Sequence, residues 1–261
     1  MNAPDSRMPS STLQTAGLTL SRGTRNLLTG LNWQAEGGQL WCLLGPNGVG
    51  KTTLLHALAG VLPAAGISLN DHALSTWDHQ ELALVRGFMP QHVHDAFSAS
   101  VLDTVLLGRH PHLGRWDWES EEDVQLAQAA LRSVGMEALA DRDVLTLSGG
   151  ERQRVSLAML LAQAPSVMLL DEPGSHQDLQ HQVTIFTLLR SLADQGRLLL
   201  TAVHDINLVA RFGTHALLLD GEGGAEAGPI GEMLTPERLS RIFHHPVRRI
   251  DDNGKAWFVA E

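Results

Sequence analysis

The chain has 261 residues, of which 43% are hydrophobic, enough apolar material for a sizeable folded core. Its formal net charge of -10 argues against a general nucleic-acid-binding protein, because phosphate binding needs concentrated lysine and arginine. The single cysteine, Cys42, excludes an intramolecular disulfide framework.

The amino-terminal segment from Met1 to Thr15 is polar and lacks the apolar region of a signal peptide. We expect residues 1–15 to be a disordered lead-in and residues 16–261 to form one domain. No apolar run reaches the roughly 18 residues that a membrane-spanning helix requires. Any membrane connection is therefore expected to come through a partner.

The first predicted elements are short strands at Leu18 to Leu20 and Leu31 to Trp33. The apolar run from Gln39 to Leu44 is typical of a buried strand, and Cys42 within it is expected to be a packed thiol rather than a reactive one. A helix is predicted from Thr52 to Leu62.

A glycine-rich loop lies between that strand and that helix, where a phosphate-binding loop has to lie. Its sequence matches the Walker A pattern: Gly45, Pro46, Asn47, Gly48, Val49, Gly50, Lys51 and Thr52. Glycines let backbone N–H groups surround phosphates, and Lys51 can neutralise the β- and γ-phosphates. Thr52 would offer its hydroxyl to Mg²⁺, and Thr53 completes the predicted nucleotide-binding set. The alternative is a glycine-rich turn without a ligand.

A mostly helical stretch follows from Ser98 to Ala164, and then three apolar runs indicate buried parallel strands: Val167 to Leu170, Leu198 to Val203 and Ala216 to Leu219. The first of these ends in Asp171 and Glu172. We expect Asp171 to hold Mg²⁺ and Glu172 to orient the water that attacks the γ-phosphate. An apolar run ending in Asp-Glu is by itself a weak signal.

The segment Leu147-Ser148-Gly149-Gly150-Glu151-Arg152-Gln153, shortly before the Asp-Glu pair, resembles the signature sequence of ABC ATPases. This resemblance implies an α/β fold: a P-loop NTPase of the ABC nucleotide-binding type, with an antiparallel β subdomain and a helical subdomain over about residues 91–164. It also implies that Ser148, Gly149 and Gly150, at a helix N-terminus, contact the γ-phosphate of ATP held mainly by a second copy. A capped helix start without a ligand is the alternative.

The resemblance assigns three further residues that would be unremarkable alone. Gln91 matches the Q-loop glutamine, which senses Mg²⁺ and the γ-phosphate and links the site to a permease. It therefore joins Thr52 and Asp171 in the expected Mg²⁺ set and Glu172 in the expected catalytic set. His204 matches the switch histidine, which holds the geometry of the attacking water. Asp178 matches the D-loop aspartate, which helps to connect the two sites of the dimer.

The chain departs from the family pattern at Gly174, where Thr or Ser is usual, and at Gln177, where Leu is usual. Near Arg22 many relatives stack adenine on an aromatic residue, and the guanidinium plane could take that role. Four histidines suggest a metal site only weakly, because no matching Cys, Asp or Glu accompanies them. They are His92, His94, His110 and His112.

The segment from Asp103 to His112 resembles the ATPases of importers for vitamin B12, ferric siderophores and haem. The resemblance extends to the tail, where Thr235 to Phe243 predicts a last helix. It implies an ATPase that uses ATP and Mg²⁺ as a peripheral protein on the cytoplasmic face of the inner membrane. Its implied partners are two transmembrane permease subunits, a second copy of itself and, indirectly, a periplasmic substrate-binding protein.

Cobalamin is the first cargo that the sequence suggests, with ferric siderophores or haem as alternatives. Transport direction follows from the resemblance alone. A soluble ABC ATPase without a permease is the competing class, but such proteins usually carry long coiled-coil insertions or tandem ATPase units. A non-hydrolysing nucleotide-binding regulator is a second competitor, suggested only by Gly174 and Gln177.

Overall fold

The computed structural model describes residues 11–92, 97–114, 116–175 and 177–261, which form a mixed α/β fold. The strands are β1 (Thr12–Arg22), β2 (Arg25–Glu36), β3 (Leu40–Leu44), β4 (Ile67–Leu69), β5 (His72–Ala73), β6 (Arg86–Met89), β7 (Val167–Asp171), β8 (Leu198–Ala202), β9 (His215–Leu219), β10 (Ala225–Pro229), β11 (Val247–Asp252) and β12 (Lys255–Ala260). The helices are α1 (Lys51–Leu58), α2 (His79–Val85), α3 (Val101–Leu106), α4 (Glu121–Ser133), α5 (Gly149–Gln163), α6 (Leu179–Asp194), α7 (Ile206–Phe212), α8 (Ile230–Met233) and α9 (Pro236–Phe243).

The central sheet has six strands in the order β10-β9-β3-β8-β7-β6, and only the β10–β9 pair is antiparallel. Its inner strands are mostly apolar because both faces are covered. In β3, for example, Leu40, Cys42 and Leu44 pack into one hydrophobic core, whereas Trp41 and Leu43 pack into the other. This pattern confirms the buried parallel strands expected from the continuous apolar runs.

Cys42 is fully buried at 0% exposure, and burial raises the pKa of its thiol to about 12. The thiolate is the reactive form of cysteine. The expected packing role of Cys42 is therefore confirmed.

The antiparallel subdomain is a four-stranded sheet in the order β2-β1-β4-β5, as the resemblance implied. Strands β1 and β2 are much longer than the short strands predicted from the sequence. Because β1 begins at Thr12, residues 12–15 belong to this strand, and the lead-in expected to reach Thr15 is wrong there. Thr15 is buried and pairs with Trp33 and Ile67. Because its side chain is polar, this buried position was not evident from the sequence.

The helical part between β6 and β7 consists of α3, α4 and α5, which pack on one another within the larger core. Two residues of the segment from Asp103 to His112 make close contacts with α4 and α5. A Cβ added at Gly108 would lie 2.2 Å from the Met159 carbonyl oxygen. Arg109 is buried and donates from Nε to Asp123 at 2.8 Å and from Nη1 to the Ala162 carbonyl oxygen at 2.7 Å. These contacts hold the segment from Asp103 to His112 against α4 and α5.

The carboxyl-terminal part contains α9, as predicted, followed by a β11–β12 hairpin that the sequence analysis missed. Asn207 on α7 holds the hairpin through a pair of hydrogen bonds with the Phe258 backbone, at 3.1 and 2.8 Å. Within the described ranges, no helix has the length and apolar character needed to cross a membrane.

Candidate functional site

The predicted site residues follow four neighbouring parallel strands at their carboxyl ends. The glycine-rich loop follows β3, and His204 lies just beyond β8. Asp171 is the last residue of β7 and Glu172 comes directly after it, while Gln91 lies just beyond β6. In an open α/β sheet, the crevice outside these strand ends is the usual place for a ligand. Sheet order therefore brings together residues that are more than 100 positions apart in the sequence.

The loop between β3 and α1 has the backbone that a phosphate-binding loop needs. Gly45, Gly48 and Gly50 all have positive φ angles, at 151°, 71° and 115°. A Cβ at Gly45 would lie 2.6 Å from the Leu219 carbonyl oxygen, so only glycine fits there. The free N–H groups at the start of α1 and its helix dipole favour an anion at this position.

Lys51 is the first residue of α1, directly after this loop, and 6% of its surface is exposed. Its Nζ donates to the carbonyl oxygens of Gly45 at 2.8 Å and Pro46 at 3.2 Å. Burial lowers the pKa of Lys51, while the charges of Glu172 and Asp171 raise it in part. The ammonium group is thus held beside two carboxylates, where an incoming phosphate can accept hydrogen bonds from it.

Asp171 is the most unusual carboxylate of the site because it is only 1% exposed and neither oxygen has a well-formed hydrogen-bond partner among the described residues. Burial raises the pKa of Asp171 and the charge of Glu172 raises it further, while the nearby Thr52 hydroxyl, His56 and Lys51 lower it. An unpartnered buried carboxylate next to a hydroxyl is an oxygen donor set that suits Mg²⁺. The residues present therefore fit the predicted metal.

Glu172 contacts the two other residues predicted to act with it. Gln91 Nε2 donates to Glu172 Oε2 at 2.8 Å, and His204 Nε2 lies 2.5 Å from Glu172 Oε1. The Glu172 side chain is 12% exposed, whereas that of His204 is 47% exposed and open to a ligand. Glu172 also has a φ of 54°, an unfavourable conformation for a residue other than glycine that costs about 1–3 kcal/mol.

The signature segment forms a separate cleft of about 370 Å³, shared with the residue predicted for the D-loop. Ser148 caps α5 in a reciprocal pair: its Oγ accepts from the Glu151 backbone N–H at 3.3 Å, and Glu151 Oε2 accepts from the Ser148 N–H at 2.8 Å. Asp178 caps α6, and the pKa of its carboxyl is lowered mainly by the backbone N–H of His181. Gly149 and Gly150 line the cleft beside Arg154.

The signature residues thus line a different cleft from the cavity beside Glu172 and His204. The two groups of predicted site residues therefore lie at separate places on one chain.

The family model described as "ABC transporter" matches residues 28–175 of this chain, which include the glycine-rich loop, the signature segment and Glu172. The chain belongs to the ABC transporter family. Since this family's ATP-binding domains hydrolyse ATP, the chain is an ATPase and its nucleotide is ATP.

Relatives of similar length support this assignment. The chain is 38% identical over 241 residues, 89% of its own length and 90% of the relative's, to the hemin import ATP-binding protein HmuV of Ruegeria sp. (strain TM1040). It is 41% identical to HmuV of Pseudomonas entomophila (strain L48) over 88% of this chain and 92% of that one. A solved inward-facing metal-chelate type ABC transporter superposes with a TM-score of 0.82 at 30% identity, covering 96% of this chain and 98% of that chain.

Two further predictions concerned a role for Arg22 beside adenine and a metal site formed by histidines. Arg22 lies exposed where β1 turns into β2. Among the described residues, no group of three or more His, Cys, Asp and Glu side chains is arranged to hold a metal. His112 Nε2 instead contacts the Gln163 carbonyl oxygen at 2.8 Å, and His94 lies outside the described residues.

Gly174, one of the two departures from the ABC pattern, leaves a small cavity beside the site. The cavity has a volume of about 90 Å³ and is lined by Glu172, Phe186 and His204 among others. The Gly174 carbonyl oxygen accepts a hydrogen bond from Gln182 Nε2 at 3.1 Å. This bond holds the backbone in place although residue 174 has no side chain.

We expect Gly174→Ala to leave the melting temperature unchanged or to raise it. Its Cβ would make ordinary contacts, 3.5 Å from Gln182 Cγ and 3.6 Å from Phe186 Cε2. Where the backbone suits alanine, such a change stabilises by about 0.4–1 kcal/mol through the unfolded chain. Gly108→Ala is the matched control, and its clash with the Met159 carbonyl is expected to lower stability by about 1–3 kcal/mol. Thermal unfolding of both variants checks this, and a large loss in Gly174→Ala would show that the cavity is not available.

The structure also reveals a residue that the sequence analysis assigned no role. Gln153 on α5 is buried, and its Nε2 donates to the Glu172 carbonyl oxygen at 2.5 Å and to Ser175 Oγ at 3.2 Å. The available signal was its helical spacing: Gln153 precedes the buried Leu157 and Leu160 by four and seven residues and so lies on the same face. A polar residue on a core-facing stripe indicates a buried hydrogen-bonding role.

Proposed function

We propose that this chain is the ATP-hydrolysing subunit of an ABC importer for haem. The observation that carries the cargo is the likeness to two hemin import ATP-binding proteins at 38% and 41% identity, extending over about nine-tenths of both partners in each comparison. The sequence alone favoured cobalamin as the cargo, with ferric siderophores or haem as alternatives. Neither of these relatives is named for cobalamin, and haem therefore takes first place.

The proposed machine contains two copies of this chain, two transmembrane permease subunits and a periplasmic substrate-binding protein that delivers cargo. The chain would lie on the cytoplasmic face of the inner membrane. The two separate half-sites support the pairing of copies, because the cleft of Ser148 and Asp178 could face the glycine-rich loop of a second copy. The likeness to the metal-chelate type transporter supports the association with a permease.

Within each proposed site, the loop of Gly45 to Thr52 holds the phosphates, and Thr53 continues α1 directly behind it. Lys51 leaves its two carbonyl partners and donates to the β- and γ-phosphates. Asp171, Thr52 and Gln91 would hold Mg²⁺, which would supply positive charge to neutralise the phosphates. Burial keeps these charges away from water and so strengthens their effect on the phosphates.

Glu172 is the proposed group that orients and polarises the attacking water. Its carboxylate is held by Gln91 on one oxygen and by His204 on the other, so its direction is fixed in advance. His204 is exposed enough to turn from Glu172 to a γ-phosphate. Gln91 begins the segment that joins β6 to the helical part, and this position suits a residue that links the site to a permease.

Cargo uptake in source cells that lack this subunit tests the proposal. Cells complemented with wild type, Glu172→Gln or Glu121→Gln receive labelled haem, cobalamin or a ferric siderophore in separate arms, and initial rates are compared. Glu121 is exposed on α4, so Glu121→Gln matches the chemical change away from the site.

We expect haem uptake to return with wild type and Glu121→Gln but not with Glu172→Gln. If deletion leaves haem uptake unchanged but wild type restores uptake of cobalamin or of the siderophore, the proposed cargo is wrong. The importer function would still stand. If deletion changes none of the three uptake rates, the importer proposal fails.

A further inference from the structure

We propose that Gln177 and Gln153 form a positioning pair that fixes the backbone of Glu172 and ties it to the cleft of the signature segment. The proposal rests on the proposed catalytic role of Glu172. It gives a function to Gln177, the second departure from the ABC pattern, and to the buried Gln153.

The first contact of this pair is with the Glu172 carbonyl oxygen. This oxygen accepts from Gln153 Nε2 at 2.5 Å and from the Ser175 backbone N–H at 3.1 Å. Because Glu172 has a positive φ of 54°, its backbone needs surrounding contacts that favour this conformation over more relaxed ones. The amide of Gln153 is the side chain that provides such a contact.

The orientation of both amides follows from the hydrogen bonds. A carbonyl oxygen only accepts, so the NH₂ group of Gln153 must face Glu172 and its Oε1 must face Gln177. Gln177 Nε2 then donates to Gln153 Oε1 at 3.4 Å. A leucine at position 177, usual in the family, would leave this buried oxygen without that donor. Gln177 thus holds Gln153 in the orientation that holds Glu172.

Both glutamines also belong to elements that form the signature cleft. Gln153 lies one helical turn after Gly149 on α5, and Gln177 directly precedes Asp178, which caps α6. Gln177 itself lines the cleft together with Ser148 and Gly150. A shift of α5 or of the segment before α6, when a nucleotide occupies this cleft, would therefore pass through two hydrogen bonds to the Glu172 backbone. Occupation of one half-site would thus adjust the backbone from which the Glu172 carboxylate of the other projects.

Methionine is the substitution that tests the pair, because it keeps the length of glutamine and removes its hydrogen bonds. The set contains Gln153→Met, Gln177→Met, the double variant, Glu172→Gln, and Gln125→Met as a control at an exposed position on α4. For each purified protein, kcat, KM for ATP, the Hill coefficient for ATP and the melting temperature are measured.

We expect each single variant to lower kcat by about three- to tenfold, because a less firmly held Glu172 backbone would orient the attacking water less well. KM should stay within about twofold, the Hill coefficient should fall, and the double variant should be no slower than the slower single variant, because coupled residues are non-additive. Gln125→Met should match wild type.

Multiplicative losses in the double variant, or a wild-type kcat in either single variant, would overturn the pair. A loss of kcat that disappears on cooling to a temperature at which the variants are fully folded would show a merely structural role and would also overturn it. These results differ from failure of the catalytic assignment, in which Glu172→Gln itself hydrolyses ATP at the wild-type rate.

Discussion

Glu172→Gln is expected to lower the rate of ATP hydrolysis by about 100- to 10,000-fold while leaving ATP binding intact, the range typical of removing a general base. The amide keeps the shape of the side chain and can still accept from Gln91 Nε2, which donates to Glu172 Oε2 at 2.8 Å. It cannot polarise water as a carboxylate does. Phosphate release from the purified protein measures the rate, and equilibrium dialysis with labelled ATP measures binding.

The same variant should also accumulate as an ATP-bound pair of copies, because hydrolysis would no longer separate them. Size-exclusion chromatography with ATP, compared with ADP, measures this. Glu121→Gln is the matched control and should hydrolyse ATP like wild type. Hydrolysis by Glu172→Gln at the wild-type rate would contradict the assignment of the base, and an unchanged monomer with ATP would contradict the paired site.

The sequence was informative about the site because several of the polar and glycine residues that form it come directly after apolar strands. Strands β3, β7 and β8 are mainly apolar runs, and a glycine, two carboxylates and a histidine lie at or just beyond their carboxyl ends. Parallel strands bring those ends to one edge, so a correct strand assignment already groups Lys51, Asp171 and His204. The contacts of Glu172 with Gln91 and His204 then follow from sheet order.

Elements at the periphery were not predictable in the same way. Strand β10 contains Gly228 and Pro229, and β11 contains four charged residues, so neither shows the pattern of a buried strand. Strand β10 forms by pairing with β9, and β11 forms by pairing with β12, which Asn207 holds through hydrogen bonds with the Phe258 backbone. The Gln153 contacts were hidden for a related reason: its partners at Glu172 and Gln177 are 19 and 24 residues away.

Asp171→Asn is expected to abolish Mg²⁺-dependent ATP hydrolysis and, at the same time, to stabilise the nucleotide-free protein at pH 7. Asp171 is buried with no well-formed hydrogen-bond partner, and burial raises the pKa of its carboxyl. Removing an unsatisfied buried charge should gain about 1–3 kcal/mol. For a chain of this size, that gain corresponds to a rise in melting temperature of about 2–10 °C.

The pH dependence of this gain has a definite sign. Because the folded pKa of Asp171 lies above the unfolded value, the folded state binds a proton more tightly and the ionised carboxylate destabilises it. The melting temperature of wild type should approach that of Asp171→Asn as the pH falls through the raised pKa, and the gap should close below the unfolded pKa. Thermal unfolding with EDTA from pH 7 downward measures the gap, and Asp141→Asn, at an exposed position, is the control.

ATP with Mg²⁺ should reverse the order of stability, because a ligand that binds only the folded state stabilises it by mass action and the asparagine variant would bind the metal poorly. Such a reversal would show that the destabilising carboxylate is kept for the metal that we propose it holds. A less stable Asp171→Asn at pH 7 would show that Asp171 already has favourable partners in the empty site, such as Lys51. Retained Mg²⁺-dependent hydrolysis would remove Asp171 from the metal site.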